Sequence, residues 1–170
     1  MSTSEPAGAE AGIRRGSRIV VGVDGSDTSL SALRRGARIA RELGCRLVGM
    51  TAWEQPVAWP GYYGGSIAPE ADARAVLEDA TRAVFGTEWP TWYTAVTREG
   101  WPAHVLISES DGAEMLIVGS RGLGGVAGLI LGSASQYCVE HAHCPVLVVP
   151  AAGRTAHDRN AHAVVGAEGG

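Results

Sequence analysis

The stretch with the clearest capacity for chemistry is Gly119-Ser120-Arg121-Gly122, followed after nine residues by Gly132-Ser133-Ala134-Ser135. The first half leaves a short apolar run, and the second half opens a helical pattern. Glycine lets a backbone turn sharply and approach a ligand closely. The first N–H groups of a helix lack internal partners and sit at its positive end. A glycine-rich loop running into a helix N-terminus is therefore suited to anions, phosphates above all. Ser133 and Ser135 add hydroxyl donors, and the Arg121 guanidinium can pair with phosphate oxygens. A second candidate is Asp24, in Gly22-Val23-Asp24-Gly25-Ser26. Its carboxylate can accept from a sugar hydroxyl, although Asp-Gly is also a common turn. Glycine makes up 24 of the 170 residues, so spacing alone cannot carry the reading and the surrounding elements must.

Other chemistries are excluded or disfavoured. All 14 basic residues are arginine, which removes a Schiff-base lysine, a phosphate-loop lysine and a lysine general base. A net charge of −4 argues against a broadly basic nucleic-acid surface. Trp89, Trp92 and Trp101 accordingly read as packing residues rather than a platform for stacked bases. Cys45, Cys138 and Cys144 are odd in number and unevenly spaced, which fits free thiols in a reducing compartment. No apolar run approaches the roughly 18 residues that span a bilayer. The first 17 residues carry no apolar core of a secretory signal. The expected location is the cytoplasm, with neither nucleic acid nor membrane as partner.

The elements that must position these residues can be read from periodicity. Arg18 to Val23, Leu47 to Trp53, Met115 to Gly119 and Val146 to Val149 are short apolar runs, mostly without polar alternation, as in strands buried on both faces of a parallel sheet. Thr91 to Thr97 alternates and is a fifth strand candidate. Between them, Ser26 to Leu43 repeats Leu30, Leu33, Ala37 and Ala40 at helical spacing, with Ser26 suited to the N-cap and Gly44 to the stop. Further helices fit Glu70 to Phe85, a segment starting at Pro102, and Ser133 to His141. Strands alternating with helices imply an α/β fold, a single doubly wound five-stranded parallel sheet of Rossmann-like type. Residues 1–17 read as a disordered arm, 18–150 as the domain and 151–170 as a disordered tail. Ligands in such sheets bind beyond the carboxyl ends of the strands, where Asp24, Ala52 and Gly119 fall.

With these elements in place, the pattern Gly119-x2-Gly122-x9-Gly132-Ser133 resembles the ATP-binding signature of the universal stress protein family. Val20 to Ser26 resembles that family's first strand and turn, and Thr51 to Glu54 the end of its second strand. Glu99 to Ala103 resembles its entry to the third helix, and His141 to Val149 its last strand. The resemblance spans about residues 18–150 in order. It implies the strand order 3-2-1-4-5, with a switch point where Asp24 and Gly119 meet. It also implies nucleoside contacts at Gly22, Val23 and Asp24, and adenine contacts with the Ala52 backbone. Ribose and phosphates would then lie on Gly119, Ser120, Arg121 and Gly122 and on Gly132, Ser133, Ala134 and Ser135. Cys138, His141, His143 and Cys144 have the side chains of a zinc site, but His141, Cys144 and Pro145 match ordinary family positions that carry no metal.

The function this implies is binding of ATP, with Mg²⁺ on the phosphates, by a nucleotide-dependent stress-response regulator. Val146 to Val149, as an apolar edge strand, is expected to pair antiparallel with a second copy in a homodimer. Trp53, Trp59, Tyr62 and Tyr63 flank a Pro- and Gly-rich stretch that is either a flap over the nucleotide or a surface loop. Two alternatives remain: a dimeric scaffold that binds no nucleotide, and a slow ATPase or self-phosphorylating protein using Ser133 or Ser135.

Overall fold

Five parallel strands form one sheet in the order β3-β2-β1-β4-β5. The computed structural model describes residues 17–55, 68–122 and 131–150. The strands are β1 (Arg18–Gly22), β2 (Arg46–Trp53), β3 (Tyr93–Glu99), β4 (Met115–Gly119) and β5 (Val146–Val149). The helices are α1 (Asp27–Leu43), α2 (Pro69–Phe85), α3 (Pro102–Glu109) and α4 (Ser133–His141). Strand and helix alternate throughout, and every neighbouring pair of strands is parallel. The doubly wound fold and the strand order expected from the sequence are the ones observed. The expected terminal arm up to residue 16, the tail 151–170, the flap residues Trp59, Tyr62 and Tyr63, and the middle of the glycine loop lie outside the described residues.

Each face of the sheet has its own core. Ile19, Val21, Leu33, Leu47, Leu77, Tyr93 and Ile117 pack where α1 and α2 cover one face. Val20, Met50, Ala103, Leu106, Leu116 and Cys138 pack where α3 and α4 cover the other. Successive residues of β1 and β4 thus bury on alternate faces, and this double burial is why those runs lack polar alternation. The side chain of Ser26 caps α1 by accepting from the Ser29 N–H at 3.2 Å, and Gly44, left-handed at φ 64°, closes the helix.

Several boundaries differ from the sequence reading: β1 ends at Gly22 rather than Val23, α2 begins at Pro69 rather than Glu70, and β3 runs on to Glu99 rather than Thr97. β3 begins at Tyr93, not Thr91, because the Tyr93 N–H turns back onto the Pro90 carbonyl at 3.0 Å. Ser17 belongs to the domain edge rather than to the arm: its carbonyl accepts from Arg46 N–H and its hydroxyl donates to Glu114. At the β3 edge, the buried Tyr93 hydroxyl shares a 2.8 Å hydrogen bond with Thr81 of α2. Burial pushes its phenol above the ordinary tyrosine range. Among the described residues, no helix is long and apolar enough to cross a membrane.

Candidate functional site

The connections leaving β1 and β4 run to opposite faces of the sheet, α1 to one and α4 to the other. A crevice opens between them past the carboxyl ends of the two strands. It holds a cavity of about 150 Å³. Its floor and walls are apolar, made by Met50, Leu106, Val118, Pro102 and Ala134. Its mouth is polar, with Asp24, Arg121 and Gly122. An apolar cavity of about this size takes a ring-sized group rather than a whole larger ligand.

The β1 end is held from both sides. Val23 N–H donates to the Met50 carbonyl at 2.7 Å, and the buried Thr51 hydroxyl donates to the Val23 carbonyl at 2.8 Å. The N–H of Val23 is therefore committed to the sheet, and its carbonyl keeps one further lone pair. Asp24 follows and turns its carboxylate back onto the start of α1. Its Oδ1 accepts from the Ser26 N–H at 3.0 Å and from the Ser26 hydroxyl at 2.6 Å. Asp24 is thus the turn residue that braces the N-cap, and it also lines the crevice. A carboxylate beside a helix N-terminus is in a favourable field. Ala52 completes this side. Met50 turns its carbonyl to β1 and Trp53 turns its own to β3, where Gly100 N–H donates to it. Ala52 is in step with Met50, so its backbone groups face past the last residue of β1, toward the crevice.

The β4 end depends on close contact with α1. The Thr28 hydroxyl donates to the Arg121 carbonyl, and the Ser26 hydroxyl reaches the same oxygen at 3.4 Å. This contact requires glycine at position 119: a Cβ there would fall 2.6 Å from Thr28 Oγ1 and 2.9 Å from the Ser29 nitrogen. At Gly122 a Cβ would fall 2.5 Å from Asp24 Oδ2, so these two residues set the width of the mouth together. The loop is closed at its base. Ser120 N–H donates to Val149, Gly132 N–H donates to the Ser120 carbonyl at 2.8 Å, and the Ser135 hydroxyl donates to the Gly119 carbonyl at 2.6 Å. Gly132 is the N-cap of α4 and brings no side chain to that role, so the helix opens with backbone N–H groups at its positive end.

Of the residues singled out from the sequence, Gly22, Val23, Asp24 and Ala52 meet Gly119, Arg121, Gly122 and Ala134 in this one cavity lining. Ser120, Gly132, Ser133 and Ser135 stand outside it, at the loop base and the first turn of α4. Ser120 and Ser135 are buried and Ser133 is exposed. Met50, Pro102, Leu106, Val118 and Ser29 also line the cavity and were not among the sequence candidates. Pro102 and Leu106 lie one turn apart on α3, and this i, i+4 pair was the available signal. Among the described residues, no group of three His, Cys, Asp or Glu stands close enough to hold a metal ion. Cys138 is fully buried, and burial, reinforced by Cys144, pushes its thiol up to about 11. That shift holds the thiol in its protonated, less nucleophilic form at neutral pH.

A model of the universal stress protein family matches residues 17–150, and the chain belongs to that family. It is 34% identical over 160 residues to a universal stress protein of Mycolicibacterium smegmatis, covering 89% of this chain and 54% of that protein. The chain thus spans about half the length of that relative. It is 37% identical over 137 residues to a universal stress protein of Thermus aquaticus, covering 77% of this chain and 96% of the other. Among solved structures, a universal stress protein in complex with cAMP superposes with a TM-score of 0.57 at 30% identity, covering 79% of this chain and 97% of that one.

The α1–β4 contact yields a direct expectation. Gly119→Ala should lower stability by about 1–3 kcal/mol, because the added methyl meets helix backbone that cannot move aside cheaply. In urea unfolding the midpoint should fall with an unchanged slope. An unchanged midpoint would contradict the packing described.

Proposed function

We propose that the crevice binds an adenine nucleotide, ATP with Mg²⁺, and that the protein acts as a nucleotide-dependent regulator of the stress response. The observation that carries this reading is the pairing of a ring-sized apolar slot with a polar, glycine-lined mouth at the switch point. The base fits the slot against Met50, Leu106 and Val118, with Gly22 and the Ala52 backbone at its edge. The second lone pair of the Val23 carbonyl is on the same side. The Asp24 carboxylate, which lines the same cavity, would accept from a sugar hydroxyl. Phosphates fit the Gly119–Gly122 turn and the first turn of α4, Gly132 to Ser135, with Arg121 as the cation nearest them. Ser133 offers an exposed hydroxyl there, whereas Ser120 and Ser135 hold the loop base. The related structure with bound cAMP supports an adenine nucleotide as the ligand class.

The donor set suits this ligand. Apolar walls accept a base, and N–H groups at a helix start accept phosphate. Mg²⁺ is normally held by the phosphates, water and one or two carboxylates, so it would arrive with ATP rather than reside in a protein cage. The three cysteines, all free, fit the reducing cytoplasm proposed for the protein.

Calorimetric titration with ATP and Mg²⁺, after bound nucleotide is stripped, should give micromolar or tighter binding. Gly122→Val should cost about tenfold or more, because its side chain displaces the Asp24 carboxylate, and a lost hydrogen bond to a charged group is worth that much. Parallel titrations with AMP and cAMP would rank the three nucleotides. No binding to folded wild-type protein would discard the nucleotide reading in favour of a scaffold.

The second part of the proposal is a homodimer through β5. This strand is the sheet edge beside β4, and Val146, Leu147 and Val148 are only partly covered. Antiparallel pairing with a second copy would satisfy that edge. Sedimentation at micromolar concentration should show a dimer, and a monomer alone would refute it.

A further inference from the structure

Away from the crevice mouth, α3 and α4 are joined by a compact aromatic group. The rings of Trp101 and His104 meet edge-on with centroids 4.7 Å apart. Those of Trp101 and Tyr137 meet the same way at 4.8 Å. His104 Nε2 and the Tyr137 hydroxyl share a hydrogen bond of 3.2 Å. Among the described residues this is the one hydrogen bond between the two helices. On α4 itself, His141 stacks on Tyr137 at 3.9 Å with the planes 14° apart, and its Nδ1 lies 3.0 Å from the Tyr137 carbonyl oxygen. Tyr137 is thus held within its own helix while it reaches across to α3.

The same two helices both border the crevice, and the start of α4 also borders the glycine loop. Pro102 and Leu106 of α3 wall the apolar slot. The α3 residue that meets Tyr137, His104, lies between them in sequence, within the turn that presents both. On α4, Ala134 lines the cavity one turn before Tyr137, and Gly132 ties the start of the helix to the Ser120 carbonyl. A shift of α3 against α4 would therefore change the slot and the glycine-loop end together.

We propose that His104 and Tyr137 are positioning residues whose hydrogen bond couples the base slot to the phosphate end of the crevice. This inference rests on the nucleotide reading above. A ligand that fills both ends orders the two helices as one body, so its two halves bind better joined than their separate affinities require. With the latch cut, each half-site keeps its own contacts but the reinforcement between them is lost. A purely structural contact would instead weaken every ligand alike.

The test compares wild type with Tyr137→Phe, His104→Ala and the double variant. Tyr137→Phe keeps the ring and removes only the hydroxyl of a partly exposed side chain, so folding is preserved. ATP with Mg²⁺ is titrated by calorimetry, and adenosine and inorganic tripolyphosphate by NMR, which reads weak binding. For Tyr137→Phe we expect ATP to bind about fivefold more weakly, the scale of one neutral hydrogen bond, with adenosine and tripolyphosphate each within about twofold of wild type. The double variant should be no weaker than His104→Ala alone, because with the imidazole gone the Tyr137 hydroxyl has no bond to α3 left to lose. Unchanged ATP affinity in Tyr137→Phe, a parallel loss for all three ligands, or additive losses in the double variant would each overturn the latch. Wild-type protein that binds none of the three would instead refute the nucleotide reading, and the latch with it.

Discussion

The site depends on the close approach of the α1 N-terminus to the end of β4. Thr28 directs its hydroxyl to the Arg121 carbonyl, the Ser26 hydroxyl, which donates to Asp24, lies nearby at 3.4 Å, and Gly119 leaves the space for this approach. These contacts fix where the chain turns out of the sheet, and hence where the loop to α4 begins. Asp24 belongs to the same assembly, because its carboxylate braces the Ser26 that caps α1. Residues far apart in sequence, on the β1 turn and after β4, are thereby held as one polar mouth.

This arrangement reconciles two demands. A parallel sheet must bury both of its faces, yet a binding crevice must leave polar groups exposed at its edge. The chain resolves this by satisfying the backbone one residue short of the mouth. Val23 has its N–H on Met50 and its carbonyl on Thr51, so the sheet is closed there. The groups beyond it, Asp24 and the Ala52 backbone, face the crevice. The apolar slot is then only the space left where α3 crosses the strand ends, with Leu106 lying over Gly22. Binding energy in such a slot comes from burying a flat apolar group, and orientation comes from the few polar groups at its rim.

Much of this was legible in the sequence, for physical reasons. Unbroken apolar runs marked β1, β4 and β5; β1 and β4 are buried on both faces and have no polar side, whereas β5 carries its run at a partly covered edge. Ser26, Gly44 and Pro102 marked helix ends, because capping chemistry is local. Asp24 and Gly119 fall at strand carboxyl ends, and their meeting at the switch point followed from the strand order that the family resemblance implies. The start of β3 was misplaced by two residues, because the turn at Pro90 is set by a backbone hydrogen bond that composition does not reveal. Met50 and Val118 carry only the signal of strand core, since the chain alone does not say which buried residue borders a cavity. Ser135 read as a phosphate donor, but its hydroxyl is bound to the Gly119 carbonyl, a contact between residues brought together only by the loop closing on itself.

The most direct test of the account is to locate the ligand on the protein. Amide chemical shifts followed by NMR during titration with ATP and Mg²⁺ would do this residue by residue. The account predicts that the largest changes fall at Gly22, Ala52, Gly119, Gly122 and Ala134, on both sides of the β1–β4 crevice. Saturable changes confined to the groove of Trp53, Pro69 and Arg74 between β2 and α2 would place the ligand elsewhere and contradict it.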